Sequence, residues 1–179
     1  MKPTELIWHN GEFKPWFEAT THVLTHALHY GSSVFEGVRV YDCLGQPKAF
    51  RMREHLQRMH NSARVYRMEI PWTVDELHRA CCELTLRNGL DSAYLRPLAY
   101  RGYGSLGVAP RDPLPVDVAI AAIEWGAYLG EEAREKGARV CVSSWQRVAP
   151  NTVPAGAKAG GNYLSSQLIS MEEIGRAHV

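Results

Sequence analysis

The sequence has no excess of charge of either sign. Its 179 residues include 20 basic and 19 acidic side chains, which gives a formal net charge of +1. Proteins that bind nucleic acid usually show a clustered basic excess, and disordered chains usually combine charge imbalance with few apolar residues. Here 45% of the residues are hydrophobic, enough for a sizeable core. The composition therefore favours a folded domain and no nucleic-acid partner.

Long apolar runs are missing as well. No stretch approaches the roughly 20 apolar residues of a membrane-spanning helix. The N-terminal MKPTELIWHNGE also lacks the apolar region of a secretory signal. We therefore expect no membrane partner and a cytoplasmic location.

Spaced metal-binding motifs are absent too. There are four cysteines, none in a C-x-x-C pair: Cys43, Cys81, Cys82 and Cys141. Three histidines stand close together without carboxylate or cysteine partners at ligand spacing: His22, His26 and His29. Since zinc sites and disulfide frameworks need regular spacing, we predict no metal site and interpret the cysteines as small buried hydrophobes.

The sequence does contain clear local signals for strands. Asn10-Gly11 between apolar residues predicts a hairpin with a two-residue turn. The β-branched and aromatic run SVFEGVRVY predicts a strand over 33–41, and residues 48–51 are expected to return beside it. Two longer runs, 92–101 and 115–125, predict further strands.

Two predicted helices separate these strands. Within residues 52–68, apolar side chains recur at three- and four-residue steps, which predicts an amphipathic helix that Pro71 ends. Thr73, with Glu76 three positions later, has the pattern of a capping box and predicts a second helix to about Arg87. Strands and helices together indicate a mixed α/β (α+β) domain.

A change of composition indicates a boundary after this domain. We assign residues 1–125 to a small N-terminal α/β domain and the Gly- and charge-rich segment 126–137 to a connector. A strand over 138–145 and a helix over 162–173 are expected to open a second domain that is cut off. Residues 174–179 break the helical pattern and resemble the translation of a common sequencing adapter, so we predict a non-native tail; a natural, frayed C-terminus is the alternative.

Residues 102–107, GYGSLG, match the G-x-G-x-x-G pattern of dinucleotide-binding sites. Such a site needs a helix directly after the glycines, and Pro110, Pro113 and Pro115 prevent one. We predict instead an adaptable glycine-rich loop that can line a pocket.

The setting of Lys158 is unusual for a lysine, because it lies among small and apolar residues in VPAGAKAGGNYLSS, 153–166. Poor solvation disfavours the ammonium form, and only the neutral amine attacks a carbonyl to form a Schiff base. The small neighbours would let a flat cofactor approach. A helix starting near Asn162 would direct its positive end toward an anion. On these residues alone, a Schiff-base lysine and an ordinary loop lysine both remain open.

The segment SSWQRVAPNTVPAGAKAGGNYLSS resembles the lysine segment of the class IV, pyridoxal-phosphate-dependent aminotransferases, and of their bacterial branched-chain group in particular. Four other segments resemble that family in the same order: HALHYGSSVFEGVRVYD (26–42), REHLQRMHNSARVYRM (53–68), SAYLRPLAYRG (92–102) and AAIEWGAYLG (121–130). The resemblance extends to about residue 173. It implies the family's α/β fold, with a complete small domain and, over 138–173, the start of the large cofactor-binding domain.

The resemblance also implies roles for single residues. Lys158 would bind pyridoxal 5′-phosphate as a Schiff base, Arg58 would hold its phosphate, and Tyr163 would lie near its ring hydroxyl. Further residues are implied to bind substrate: Tyr30, Phe35, Tyr94, Arg96, Val108, Trp125 and Tyr128. Of these, Tyr30 and Val108 would reach across from a neighbouring subunit. Without the resemblance, ordinary core packing would explain the aromatic residues and a solvated helix face would explain Arg58.

The activity implied by the resemblance is transfer of the amino group of leucine, isoleucine or valine to 2-oxoglutarate in a homo-oligomeric enzyme. Tyr94 and Arg96 would lie near the substrate carboxylate, and Phe35 beside its apolar side chain. The chemistry of D-amino acid aminotransferases or aminodeoxychorismate lyases stays open, as does a non-catalytic α/β interaction module. The family's glutamate that pairs with the cofactor nitrogen is expected to lie beyond residue 179. We therefore expect this chain alone to bind the cofactor weakly and to have little activity.

Overall fold

The computed structural model describes residues 2–109, 113–124, 136–137 and 140–176 of the chain. Within these residues seven strands form one sheet: β1 Leu6–His9, β2 Glu12–Pro15, β3 Ser33–Phe35, β4 Val38–Asp42, β5 Pro47–Ala49, β6 Ala93–Arg101 and β7 Val116–Ile123. The α-helices with described bounds are α1 His26–Tyr30, α2 Met52–Val65, α3 Val74–Arg87 and α4 Leu164–Arg176. Short 3-10 turns cover Trp16–Glu18 and Gly160–Tyr163.

The strands pair in antiparallel fashion in the order β2-β1-β7-β6-β4-β5, and β3 also pairs with β6. Helices α2 and α3 cover one face of the sheet with completely buried side chains, among them Leu56, Met59, Leu77 and Leu84. Side chains that alternate with the core residues, such as Arg96 and Leu98, face the other side. The predicted mixed α/β fold class is confirmed for the described part of the chain.

The hairpin predicted from Asn10-Gly11 is confirmed. Both residues have positive φ angles, 49° and 93°, and His9 pairs with Glu12 across the turn. Strand β1 also pairs with β7, so the N-terminal hairpin lies beside a strand from more than a hundred residues later.

The strand predicted over 33–41 is wrong at its centre, because the structure divides it into β3 and β4. Both strands pair with β6, but Pro97 of β6 has no N–H with which to continue the ladder. Glu36 donates its own N–H to the Pro97 carbonyl at 2.8 Å. Glu36 and Gly37 thus connect two strands that share one neighbour.

Helix α2 confirms the predicted amphipathic helix but ends at Val65, well before Pro71. Arg67 adopts a left-handed conformation with a φ of 53°, and the N–H of Met68 returns to the Ala63 carbonyl at 3.0 Å. Such a return bond is typical of a Schellman C-cap, which ends a helix without proline.

Helix α3 begins with the predicted capping box, in which the Thr73 side chain accepts the Glu76 N–H and the Glu76 carboxylate accepts the Thr73 N–H. It ends at Arg87, as expected. Strands β6 and β7 confirm the two long strands predicted over 92–101 and 115–125.

The C-terminal segment departs further from the predictions. Residues 140–145 form no strand, and no partner strand pairs with them among the described residues. Helix α4 begins at Leu164, after Asn162, and continues to Arg176, so the helical pattern does not break at residue 174. Residues 125–135, most of the predicted connector, lie outside the described residues, and the division into domains stays a prediction.

The predicted burial of the cysteines is confirmed for Cys81, whose thiol pKa is raised by burial. It is wrong for Cys43, Cys82 and Cys141, which are exposed. Cys82 follows Cys81 on helix α3, and one helical residue rotates the side chain by about 100°, away from the core.

Candidate active site

Lys158 is anchored through its backbone. Its carbonyl accepts the N–H of Phe35 at 3.1 Å, and its own N–H donates to Ser62 Oγ of α2 at 3.0 Å. The next residue, Ala159, forms an antiparallel bridge with Val34 of β3. The segment around the lysine is thus attached both to the sheet and to a helix.

The side chain of Lys158 is half-buried, and its amine contacts aromatic groups. Nζ donates a hydrogen bond to the Tyr163 hydroxyl at 2.6 Å and lies 4.8 Å from the ring centre of Phe35. The ring centres of Phe35 and Tyr163 are themselves 5.0 Å apart. These contacts hold the amine in one place.

The cleft beside this amine has a volume of about 200 Å³. Arg58, Arg147 and Lys158 line it together with Tyr163 and the small residues 155–157. Among the described residues, no acidic side chain contributes to the lining. A lining with three basic side chains and no acidic one favours an anionic ligand.

A buried carboxylate behind the cleft fixes one of these basic side chains. Glu36 is completely buried, and it accepts hydrogen bonds from Arg58 Nε at 2.6 Å and Nη2 at 2.7 Å. His55 Nδ1 donates to the same carboxylate at 2.8 Å. Burial raises the pKa of Glu36, but the hydrogen bonds from Arg58 and His55 outweigh burial and hold that pKa below its ordinary value. The bond to Glu36 also raises the pKa of Arg58, whose remaining N–H groups are left for a ligand.

Sequence reasoning missed Glu36, although a signal for it is present. Alternate residues of a strand face the same side, and Val34, Val38 and Val40 are buried on the core side. Glu36 occupies the same alternation, and a carboxylate at such a position indicates a buried cationic partner, because an unpaired charge there is costly. No role was predicted for His55, Ser62 or Arg147 either.

The glycines after Lys158 have a structural role that the sequence did not predict. A Cβ at Gly160 would lie 2.4 Å from Ser33 Oγ, and a Cβ at Gly31 would lie 3.1 Å from the Gly161 Cα. These glycines therefore let the lysine segment pack closely against the chain around residues 31–33.

Asn162 closes the lysine loop and does not cap the following α-helix. Its Nδ2 donates to the carbonyls of Pro154 and Ala157, both at 3.2 Å. The expected helix N-terminus near Asn162 is confirmed, because α4 begins at Leu164, directly after the 3-10 turn Gly160–Tyr163 that contains Asn162. The side chain of Asn162 stabilises the bend that carries Lys158.

Three of the predicted substrate residues lie together. The guanidinium of Arg96 is 4.6 Å from the ring centre of Phe35 and 5.1 Å from that of Tyr94. Gly37 makes this arrangement possible, since a Cβ there would lie 2.0 Å from the Tyr94 hydroxyl. Because Phe35 also contacts the amine of Lys158, this group is continuous with the lysine cleft.

Tyr30 and Val108 do not join this group within the chain. They line a second, larger cleft of about 960 Å³ together with Gly160 and Gly161, and their exposed fractions are 43% and 86%. Their predicted reach into a neighbouring subunit stays a prediction. Trp125 and Tyr128 lie outside the described residues.

The three neighbouring histidines each form hydrogen bonds to other groups of the chain and do not meet at a common point. The N–H of Leu24 donates to His22 Nδ1 at 3.1 Å, and His29 Nε2 bonds to the Val23 carbonyl at 2.9 Å. His26 is buried and bonds to Ser32 and Gly107. In the described ranges no three His, Cys, Asp or Glu side chains are placed to hold a metal ion, and no helix there is long and apolar enough to cross a membrane.

Comparison with known proteins identifies similar sequences. The family model for amino-transferase class IV matches residues 33–172. The chain is 53% identical to the branched-chain-amino-acid aminotransferase of Escherichia coli (strain K12) over 171 residues, which are 96% of this chain and 55% of the relative. It is 45% identical to the protein of the same name from Pseudomonas aeruginosa over 170 residues, 94% of this chain and 55% of the relative. The chain thus spans about half the length of the curated relatives it matches.

Solved structures of branched-chain amino acid aminotransferases are also similar to this chain. The Escherichia coli branched-chain amino acid aminotransferase is similar with a TM-score of 0.89 and 54% identity, over 92% of this chain and 54% of that one. The T.th. branched-chain amino acid aminotransferase with pyridoxamine 5′-phosphate is similar with a TM-score of 0.90 and 53% identity, over 96% of this chain and 56% of that one.

Proposed function

Because the chain belongs to the class IV aminotransferase family, we propose that its residues are part of an enzyme that transfers amino groups from leucine, isoleucine and valine to 2-oxoglutarate, with pyridoxal 5′-phosphate as cofactor. The names of the relatives at 53% and 45% identity support this activity. One contact carries the proposal: the Lys158 amine lies 2.6 Å from the Tyr163 hydroxyl in a cleft that Arg58 also lines.

The residues of this cleft fit the chemical groups of the cofactor. A phosphate suits the planar fork of Arg58, and Arg147 adds a second positive charge. An aldehyde suits the amine of Lys158, and a ring hydroxyl suits the phenol of Tyr163. When bound, pyridoxal phosphate supplies an electron sink that stabilises negative charge at the substrate Cα.

Lys158 would hold the cofactor covalently and would move a proton at the substrate Cα. Both tasks need a neutral amine in a fixed position, and the hydrogen bond to Tyr163 supplies the position. The Phe35 ring, 4.8 Å from Nζ, keeps water away from one side of the amine. Arg58, held by Glu36, would fix the phosphate and so orient the bound group toward Lys158.

Phe35, Tyr94 and Arg96 would recognise the substrate. They place a positive charge beside an aromatic wall, which suits an amino acid with a carboxylate and an apolar side chain. Tyr30 and Val108 would complete the pocket of a neighbouring subunit, so a homo-oligomer is part of the proposal. A cytoplasmic location and the absence of nucleic-acid and membrane partners remain predictions from composition.

The proposed function is tested in a fusion of this chain with the remaining C-terminal part of the Escherichia coli relative. We expect transamination of L-leucine with 2-oxoglutarate, little turnover of D-alanine, and a loss of about 10²- to 10⁴-fold or more in kcat for Lys158→Ala. Lys48→Ala, which changes an exposed lysine, is the matched control. A clear preference for D-alanine would contradict the branched-chain assignment. An unchanged rate in Lys158→Ala would show that Lys158 is not the catalytic group, whereas no transamination by the unaltered fusion would favour a non-catalytic module.

A further inference from the structure

His26 is buried between two segments that carry proposed pocket residues. Its side chain is 2% exposed, and it occupies the first position of helix α1, which ends with Tyr30. The other segment is the loop 102–109, which contains Val108. The proposed reaction gives His26 itself no role.

The imidazole bridges these segments with two hydrogen bonds. Nε2 lies 2.8 Å from the Gly107 carbonyl and must donate, because a carbonyl oxygen only accepts. Nδ1 lies 2.7 Å from Ser32 Oγ, whose hydroxyl donates to the neutral ring. The two partners therefore select the tautomer of neutral His26 with hydrogen on Nε2.

The same imidazole contacts Tyr30 directly and is linked to Val108 through the neighbouring residue Gly107. Its ring centre lies 4.5 Å from that of Tyr30, with an angle of 33° between the planes. Its hydrogen-bond acceptor, Gly107, directly precedes Val108 in the chain. A movement of the imidazole would therefore displace both pocket residues.

Between described residues, the tip of the loop, 104–109, has few other hydrogen bonds. At its base, the Gly102 carbonyl accepts the His26 N–H at 3.1 Å, and Tyr103 forms a bridge with Thr25. Among hydrogen bonds between described residues, the bond from His26 is the one that reaches 104–109. Gly107 has a φ of 130°, a conformation that favours glycine. The bond from His26 therefore fixes the direction of this carbonyl.

We propose that His26 is a positioning residue that fixes Tyr30 and Val108 relative to each other and thereby sets the shape of the apolar end of the substrate pocket. The pocket roles of Tyr30 and Val108 rest on the proposed function, whereas the bridge rests on the hydrogen bonds alone. In a homo-oligomer, the two residues would enter the neighbouring pocket as one rigid unit.

Two substitutions separate the hydrogen bond from the burial of the side chain. His26→Gln keeps an N–H donor in place of Nε2, whereas His26→Leu keeps an apolar volume and removes the donor. In the 179-residue chain, the amides of residue 26 and Gly31 are hydrogen-bonded to the carbonyls of Gly102 and Ala27 and so report on the attachment of α1 to the loop. We expect hydrogen exchange of these two amides to accelerate by about tenfold in His26→Leu and by less than about threefold in His26→Gln. Unchanged exchange in β6 and β7 reports an intact fold. No acceleration in His26→Leu, or equal acceleration in both variants, would overturn the bridge.

A measurement on the unaltered chain covers the case in which a variant fails to fold. Long-range ¹H–¹⁵N NMR of the neutral histidine rings is expected to show the hydrogen of His26 on Nε2. A hydrogen on Nδ1 alone would be incompatible with donation to Gly107 and would overturn the proposal.

The consequence for the pocket is measured in the fusion with the Escherichia coli C-terminal part. We expect the KM for L-leucine to rise by about tenfold in His26→Leu, with a smaller change in kcat, and to recover in His26→Gln. If hydrogen exchange responds and KM does not, the positioning role is wrong while the proposed function stands. If the unaltered fusion does not transaminate leucine, the proposed function fails, and the pocket role of His26 fails with it.

Discussion

The carboxylate of Glu36 and the guanidinium of Arg58 are joined by two hydrogen bonds of 2.6 and 2.7 Å. The carboxylate is completely buried directly after β3, whereas the arginine side chain is half-exposed at the edge of the cleft. The pair therefore holds a ligand-facing side chain against the rigid sheet. Removing one partner of such a pair leaves a charge without compensation.

Replacing Glu36 by glutamine retains the shape of the side chain and removes its charge. We expect the free energy of unfolding in urea at pH 7 to fall by about 1–3 kcal/mol, because hydrogen bonds to charged groups are stronger than neutral ones. Glu54→Gln is the matched control, since Glu54 is exposed and pairs with Arg51. It should leave the stability nearly unchanged, because an exposed ion pair is screened by solvent. Equal losses of unfolding free energy in the two variants would show that the buried pair stabilises the fold no more than the exposed pair does.

Stability in acid depends on the same carboxylate. The pKa of Glu36 in the folded chain is depressed, because the bonds from Arg58 and His55 outweigh burial. Its stabilisation is therefore fully present above the unfolded-state pKa and is lost as the pH falls through the folded-state pKa. We expect the difference in unfolding free energy between the unaltered chain and Glu36→Gln to be constant from pH 7 to about pH 5 and to shrink at lower pH. Urea midpoints at a series of pH values measure this difference, and an increase on acidification would disprove the assignment.

Gly31 and Gly161 provide a second matched pair of substitutions. Gly31 has a φ of 64°, and a Cβ on it would lie 3.1 Å from the Gly161 Cα. A Cβ on Gly161 would come no closer than 3.6 Å to any atom beyond its chain neighbours, at an ordinary φ. We expect Gly31→Ala to lower the free energy of unfolding by about 1–3 kcal/mol and Gly161→Ala to change it by less than about 1 kcal/mol. Similar losses in both variants would show that this close approach is not what requires glycine.

Phosphate recognition can be separated from amine reactivity by comparing pyridoxal phosphate with pyridoxal. Arg58→Lys keeps the positive charge and loses the planar fork. We expect modification of Lys158 by pyridoxal phosphate, trapped with borohydride, to fall by about tenfold, while modification by pyridoxal stays the same. Arg51→Lys, an exposed change near the start of α2, is the control. Equal reductions with both aldehydes would contradict a phosphate-binding role.

Local sequence signals were sufficient to predict the elements whose stabilising contacts lie within the element itself. Asn10-Gly11 sets a turn through its own φ angles, and Thr73 with Glu76 satisfies the first N–H groups of a helix. Residues 140–145 form no strand because a strand needs a partner, which an apolar pattern cannot supply. The interruption of 33–41 arises likewise across the sheet, where Pro97 lacks a donor.

The candidate site was predictable as a set of residues but not as a set of contacts. The family resemblance pointed to Lys158, Arg58 and Tyr163, and the structure brings these side chains to one cleft. The pairing of Glu36 with Arg58 could not be predicted, because the two residues belong to different parts of the chain and meet only once α2 has packed beside β3. The catalytic and binding roles of these residues remain predictions.

The amine of Lys158 is the group proposed to react with the cofactor aldehyde, and every other role in the cleft depends on it. It is tested most directly by incubating the chain with pyridoxal phosphate, reducing with borohydride and locating the modified lysines by mass spectrometry. We predict that Lys158 is modified at least about tenfold faster than the exposed Lys48, even where binding is weak. Modification of Lys48 and other exposed lysines as fast as Lys158 would contradict this role.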